Sequence, residues 1–346
     1  MASRIGNLVL ILVLIYMVSP VIFRYSTFIQ RSLLFMNHIN SQYGVNLSHP
    51  EQVGIKCSRV LRLRHRNQFA IIGDNKEQMI ELGAWHILPQ SSLSNCETNH
   101  ENNRTYIDEK LAFSDSRPII LYVHGNGGNR AGDHRNRLYK RLAYEFDFHI
   151  VTFDYRGYGD STYETPSAYG LTSDTAYAYK WLLSQPNVHE SRVFVWGHSL
   201  GTAIAMSMVA GLSDDHKPSK IVLEAPFDTL ANAIANHPFS YPFRFIPYFE
   251  FFFVDPIKGS LELNFNSLEK VGRIKDTPIL IIHAEDDGII PFKLGENLYK
   301  HAVEKLGNMN IHFISISGSF GLGHKNICTH NETMEKIERF LVNEHK

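Results

Sequence analysis

The chain opens on a single apolar block. From Leu8 to Phe23 sixteen residues run without a charge, with Arg4 before them and Arg24 and Arg31 after. Adding Ile5 to Asn7 brings the block into the ~17–25 residues that a membrane span needs. Cleavage as a signal peptide would fall near Ser19, where Pro20 follows directly and Met17 holds the −3 position, so residues 1–24 read as a retained signal anchor. Arginines flank both ends, and the positive-inside rule leaves its orientation open. Residues 25–50 mix Phe28, Leu33, Leu34 and Phe35 with polar positions, and predict a juxtamembrane helix lying on the bilayer or against the domain behind it.

Beyond the anchor the period shortens. Arg62, Arg64 and Arg66 alternate with Leu61 and Leu63, which predicts a strand with one basic face. The reading is an edge strand guarded by charge; attraction to an anionic membrane surface is the alternative. A second strand is expected at 82–88, and the polar stretch 90–116 reads as a surface insertion. From Pro118 onward, apolar strands at 119–123, 149–154, 193–196, 220–224, 278–282 and 311–315 alternate with helical segments at 131–146, 171–184, 199–212, 292–306 and 331–343. That alternation predicts an α/β domain over residues 51–346, with a mostly parallel sheet covered by helices on both faces.

One segment breaks the rhythm: residues 239–253 hold nine aromatics in fifteen positions, interrupted by Pro242 and Pro247. It predicts a cap or lid, inserted at about 228–270, whose Phe245, Phe249, Phe251 and Phe252 line an acyl-chain pocket; additional core packing is the plainer reading.

Composition narrows the partners. The 346 residues carry a formal net charge of −1, which gives no electrostatic reason to expect nucleic acid. Three cysteines (Cys57, Cys96, Cys328) fit one disulfide and one thiol, or three thiols, and no Cys-x-x-Cys pair suggests zinc. The 18 histidines are scattered without metal-ligand spacing, so no metal is expected. Sequons at Asn46, Asn103 and Asn331 are candidate glycosylation sites and favour a type II orientation, with a lumenal or extracellular domain.

The chemistry sits on Gly197-His198-Ser199-Leu200-Gly201, a Gly-x-Ser-x-Gly turn between a short apolar strand and a helix of small residues. Such a turn holds a serine hydroxyl clear above the sheet as a nucleophile; a capping serine on an ordinary turn is the plainer reading. In this arrangement an acid and then a histidine follow along the chain. Asp287, four residues before Pro291 and beside Gly288, is the acid, with Asp286 as the alternative. His324, on the Gly-rich loop after the last strand, is the base, with His330 and His312 as alternatives. Oxyanion donors are expected from the backbone N–H of Leu200 and from the loop His124-Gly-Asn-Gly-Gly-Asn129, where Asn126 is the chosen residue. No Gly-x-Gly-x-x-Gly follows a strand, and no cofactor is expected.

The 124–129 loop, Phe153-Asp-Tyr-Arg-Gly-Tyr-Gly-Asp-Ser161, the elbow, Glu224-Ala-Pro-Phe227 and His283-Ala-Glu-Asp-Asp287 together resemble the α/β-hydrolase superfamily over about residues 115–346. With the anchor and Gly323-His-Lys325, the chain is similar to the membrane-anchored lysophosphatidylserine and monoacylglycerol lipases of the alpha/beta-hydrolase domain-containing protein 12 type. The resemblance implies Ser199 as nucleophile, Asp287 as acid, His324 as base, and Asn126 and Leu200 as oxyanion donors. It also implies a glycosylated endoplasmic-reticulum protein with a lumenal site and a lysophospholipid or monoacylglycerol substrate. A protein depalmitoylase or acyl-thioesterase, and a non-catalytic hydrolase-fold binding protein, are the rival readings.

Overall fold

A computed structural model describes residues 2–39, 44–67, 79–99 and 104–342. In chain order the helices and strands are α1 (Ala2–Tyr25), α2 (Thr27–Phe35), β1 (Ser58–Arg66), β2 (Met79–Ile87), β3 (Glu97–Asn99), β4 (Arg104–Tyr106) and β5 (Ile119–Val123). There follow α3 (Asp133–Lys140), β6 (His149–Phe153), α4 (Ala168–Leu183), β7 (Val193–His198), α5 (Leu200–Val209) and β8 (Lys220–Glu224). The last third contains α6 (Leu230–Asn236), α7 (Asp255–Lys258), α8 (Ser267–Val271), β9 (Ile279–Ala284), α9 (Phe292–Leu306), β10 (Ile311–Ile316) and α10 (Asn331–Val342).

The apolar blocks form one eight-stranded sheet in the order β1-β2-β6-β5-β7-β8-β9-β10. β1, β2 and β6 pair antiparallel, and every neighbouring pair from β6 to β10 is parallel. Strands β5 to β9 are buried along their whole length, which is why they read as continuous apolar runs and not as alternating ones. α3 and α10 close one face, while α4, α5 and α9 close the other. The buried positions Leu294, Leu298 and Ala302 of α9, and Met334, Ile337 and Leu341 of α10, recur every three or four residues, as an amphipathic helix requires.

β1 is indeed an edge strand, and its arginines are neutralised within the domain: Arg62 lies 2.6 Å from Asp160, Arg64 2.6 Å from Glu81 and Arg59 3.2 Å from Glu109. The polar insertion that follows β2 carries the β3–β4 hairpin and is fastened to the start of β1 by a disulfide between Cys57 and Cys96. Cys328 is free and buried, and burial pushes its thiol up to about 12, leaving it unreactive.

Two buried guanidinium groups fix the loops that follow β5 and β6. Arg130 meets Asp154 and Asp160, each at 2.5 Å, and Arg156 binds Asp174 on α4 at 2.6 Å. Both arginines are fully buried, so each needs its carboxylate partner inside the protein.

The segment read as juxtamembrane docks on the domain. Ser26 caps α2 through the Ile29 N–H, and Phe35 is completely buried in the main core. The carbonyl of Phe35 accepts from the Tyr158 hydroxyl at 2.5 Å, and that of Ile39 accepts from the Gly128 N–H at 2.8 Å. α1 projects beyond the domain with Leu8 to Ile15 exposed, and an apolar stretch long enough to cross a membrane runs from Arg4 to Tyr25.

Between β8 and β9 the predicted cap divides in two. α8 packs against α5 and α9 as part of the globular body, whereas residues 237–254 stand out as short helical turns rich in aromatic rings.

Candidate active site

Gly197 and Gly201 explain the turn they flank. A Cβ on Gly201 would sit 2.0 Å from the Val123 carbonyl oxygen, and one on Gly197 would sit 2.6 Å from the Gly201 carbonyl oxygen. Only glycine lets α5 start this close to β5. Ser199, between them, has φ 53° and ψ −120°, a conformation that costs a non-glycine residue energy and persists where surrounding contacts over-determine it. Those contacts are present. Its N–H donates to the Glu224 carbonyl at 2.9 Å, and its carbonyl accepts from the Thr202 N–H at 2.9 Å and the Thr202 hydroxyl at 2.6 Å.

Asp287 leaves the end of β9 with its carboxylate fully engaged. Oδ1 accepts the N–H groups of Ile289 and Ile290, both at 2.9 Å, and Oδ2 accepts His324 Nδ1–H at 2.7 Å. His283, wholly buried on β9, donates from Nε2 to the Ile290 carbonyl at 2.9 Å, with Asp287 Oδ2 at 3.3 Å. Burial alone would raise the Asp287 pKa; the bonds from His283 and His324 overcome it and hold the carboxyl well below the usual carboxylate range. It therefore stays ionised and fixes the tautomer of His324 that leaves Nε2 unprotonated.

The neighbouring acid has a different task. Asp286 Oδ2 accepts the Gly323 N–H at 2.9 Å, which holds the loop that carries His324. The His324 carbonyl in turn accepts from His198 Nε2 at 2.9 Å, tying that loop to the residue before Ser199. His330 pairs with Thr333 at 2.8 Å and lies tilted against the Phe320 ring, and the His312 ring lies against Phe340. Neither partner belongs to this constellation. Burial, reinforced by the charge of His324, lowers the His198 pKa to about 3, so His198 stays neutral beside the His324 ring.

The 124–129 loop lies alongside the serine: a methyl built on Gly125 would come within 3.1 Å of Ser199 Cβ. Leu200 is the first residue of α5, so its N–H has no carbonyl one turn back within the helix. The Asn126 side chain is committed elsewhere. Its Nδ2 donates to the Leu34 carbonyl of α2, and its Oδ1 accepts the Gly127 N–H at 2.9 Å. What Asn126 has left for a reacting atom is its backbone.

Sequence reasoning missed the group beneath this loop. Arg135, on α3 and fully buried, donates to the carbonyls of Gly125 at 3.0 Å, Gly127 at 2.8 Å and Asn129. Pulling these carbonyls toward one guanidinium turns the intervening N–H groups the other way. A lone arginine in a polar helix carries no signal of this in sequence. Glu224 was visible only as part of a motif. Burial pushes its carboxyl up to about 7, and the Trp196 indole N–H donates to it at 2.9 Å.

Of the cap aromatics, Phe251 lies under the Arg24 guanidinium, Phe252 packs edge-on against Phe251, Phe249 stacks on Phe253, and Phe245 is 92% exposed. A groove of about 880 Å³ elsewhere, lined by Thr172, Ser207, Lys258 and Leu261 among others, includes none of Ser199, Asp287 and His324. Among the described residues no group of three or more His, Cys, Asp or Glu is arranged to hold a metal ion.

The sheet order and the turn at Ser199 are those of an α/β hydrolase, and residues 118–253 match the alpha/beta hydrolase fold family. An esterase from Pyrococcus furiosus superposes with a TM-score of 0.58 at 17% identity, covering 88% of this chain and 98% of that one. An alpha-beta hydrolase from Vibrio vulnificus gives a TM-score of 0.57 at 17% identity, covering 91% of each chain. Two relatives share more sequence: lysophosphatidylserine lipase ABHD12 of Danio rerio, 36% identical over 98% of this chain and 84% of its own, and that of Xenopus tropicalis, 34% identical over 99% and 83%. Protein ABHD12B of Homo sapiens is 33% identical over 78% of this chain and 68% of its own. The chain belongs to the ABHD12 family of α/β hydrolases.

Two outcomes are expected. Asn126→Ala keeps the backbone N–H but removes the tie to Leu34; it should lower kcat on a soluble ester about fivefold to tenfold, matching the ~1 kcal/mol of one hydrogen bond. Unchanged kcat would reduce Asn126 to a main-chain role. For Glu224, the folded pKa of about 7 lies above the ordinary 4.5, so the neutral carboxyl is favoured by folding. Its contribution, at most about 3 kcal/mol, is full below pH ~4.5, declines as pH rises toward 7 and is absent above. Urea denaturation of detergent-solubilised protein should show wild type losing stability from pH 5 to 8, and Glu224→Gln losing less.

Proposed function

We propose that this protein is a serine lipase that cleaves the acyl ester of lysophospholipids such as lysophosphatidylserine, and of monoacylglycerols. The observation that carries the reading is the 2.7 Å bond from His324 to an ionised, fully engaged Asp287, on a loop tied to the residue before Ser199. The names of the family members above supply the substrate class.

The steps follow from this geometry. His324 Nε2 takes the Ser199 proton as Oγ attacks the ester carbonyl carbon. The tetrahedral oxyanion is met by the backbone N–H groups of Leu200 and Asn126, each worth roughly 3–4 kcal/mol in comparable enzymes. Collapse breaks the ester bond: the headgroup alcohol leaves with the proton from His324, and the acyl group stays on Ser199. Water then gives a proton to His324 and attacks the acyl-enzyme, which releases the fatty acid and restores the serine. Asp287 remains a carboxylate throughout and stabilises the imidazolium. No cofactor enters.

The same reading puts the domain in the lumen of the endoplasmic reticulum, on a single type II anchor formed by the N-terminal apolar helix. The disulfide between Cys57 and Cys96 supports an oxidising compartment. Asn46 and Asn331 are exposed and open to glycosylation; Asn103 lies outside the described residues.

Wild-type protein should release fatty acid from lysophosphatidylserine and monooleoylglycerol and take up a fluorophosphonate probe. Ser199→Ala should lose the probe and roughly 10⁴-fold or more of kcat. Labelling that survives in Ser199→Ala would overturn the assignment, and turnover of acylated peptides in preference to lyso-lipids would move the substrate to protein thioesters. Endoglycosidase treatment should increase gel mobility; unchanged mobility would overturn the lumenal placement.

A further inference from the structure

We propose that the cap formed by residues 237–254 is immersed in the membrane leaflet beside the anchor, with Phe239, Phe245 and Tyr248 in contact with lipid hydrocarbon. A hydrocarbon core of roughly 30 Å needs about 20 helical residues, and among the described residues there is one such stretch, Arg4–Tyr25. Crossing therefore uses nearly all of it, and Arg24 marks the level at which the helix emerges.

The cap does not wait at that level. Arg24 donates to the Phe251 carbonyl and lies over the Phe251 ring at 3.5 Å. Phe23 packs on Phe253, with ring centroids 5.1 Å apart. Further along the helix, the Tyr16 hydroxyl donates to the Pro242 carbonyl at 2.5 Å, and its ring stacks on Phe243 at 5.3 Å. Tyr16 precedes Arg24 by two turns and more, about 12 Å of helix on the membrane side. A segment bonded to Tyr16 shares its depth.

The cap's composition suits that depth. The cap holds one carboxylate, Glu250, next to the Phe251 that Arg24 binds at the level of emergence, and its one guanidinium, Arg244, is long enough to snorkel to the headgroups, its carbon lying 4.2 Å over the Tyr241 ring. The outward faces of Phe239, Phe245 and Tyr248 are 69%, 92% and 80% exposed. Backbone polar groups, costly in hydrocarbon, are largely absorbed within the cap: the N–H groups of Ser240, Arg244, Ile246 and Phe252 donate to carbonyls of His237, Ser240, Phe243 and Tyr248. Pro238, Pro242 and Pro247 carry no N–H at all.

Depth is measurable without turnover, so the test stands apart from the hydrolase assignment. Full-length protein with Cys328→Ser and an intact Cys57–Cys96 disulfide is given one of Phe245→Cys, Tyr248→Cys or Met309→Cys. Each is nitroxide-labelled and reconstituted in palmitoyl-oleoyl phosphatidylcholine nanodiscs. Met309, 89% exposed and just before β10, lies at the opposite end of the sheet. Power saturation against oxygen and a water-soluble nickel chelate should place both cap labels about 5–12 Å below the phosphates, within the helix rise separating Arg24 from Tyr16. The Met309 label should read aqueous. Cap labels as open to nickel as Met309 would overturn the proposal, as would labels shielded from both reagents, which would mean that a second copy of the chain covers the cap. Phe245 and Tyr248 are independent sites, and agreement of either one with the aqueous control is enough to reject immersion there.

Discussion

The close approach of α5 to β5 is the constraint on which the rest of the catalytic edge depends. With no side chain at Gly197 or Gly201, the helix starts almost against the Val123 carbonyl, and the chain can reverse only by driving Ser199 to a positive φ. That strain must be held from outside the turn, and β8 does so through the Glu224 carbonyl. The same contact brings Gly125 against Ser199, so one steric fact sets both the serine and the loop facing it. A bulkier residue at either glycine would separate two strands' worth of chemistry at once.

Electrostatics then divide the labour among buried groups. Asp287 accepts three hydrogen bonds, with the His283 ring at 3.3 Å, and stays charged; Glu224, buried with a single indole donor, is pushed toward neutrality. Both are buried carboxyls, and the number of donors decides their state. Arg135 works by the opposite route: its two terminal nitrogens donate to carbonyls alone, and so shape the 124–129 loop from below.

What could be read in the sequence follows from the range of the interactions concerned. The parallel strands were legible because both faces are buried and their residues must all be apolar. The edge strand β1 was legible because solvent on one side forces alternation. The meeting of Asp287 with His324 on a loop tied to the Ser199 turn was legible because the fold fixes the order of these residues at the strand ends. Long-range choices were not. Three cysteines cannot say that Cys57 meets Cys96 across 39 residues. The amphipathic stretch 25–50 has the same pattern whether its apolar side meets lipid or protein, and only the coordinates show Phe35 in the core. Arg135 and the bond from Asn126 to Leu34 depend on which carbonyls lie nearby, and no local pattern encodes that. The cap aromatics were conspicuous as composition, but their division between anchor contacts and free surface needed geometry.

The bonds from Asn126 and Gly128 to the carbonyls of Leu34 and Ile39 carry a consequence for how such a chain can change over time. An anchor joined through a slack stalk is a cassette: it can be exchanged, lengthened or lost while the domain behind it is untouched. Here the stalk is packed on the domain, and its backbone is a partner of the loop that faces Ser199. Drift in residues 26–39 is therefore felt at the site, and a fusion that grafts a foreign stalk onto residue 44 would inherit the membrane address without the support. The leader of this protein is part of its enzyme, and the two can be expected to vary together.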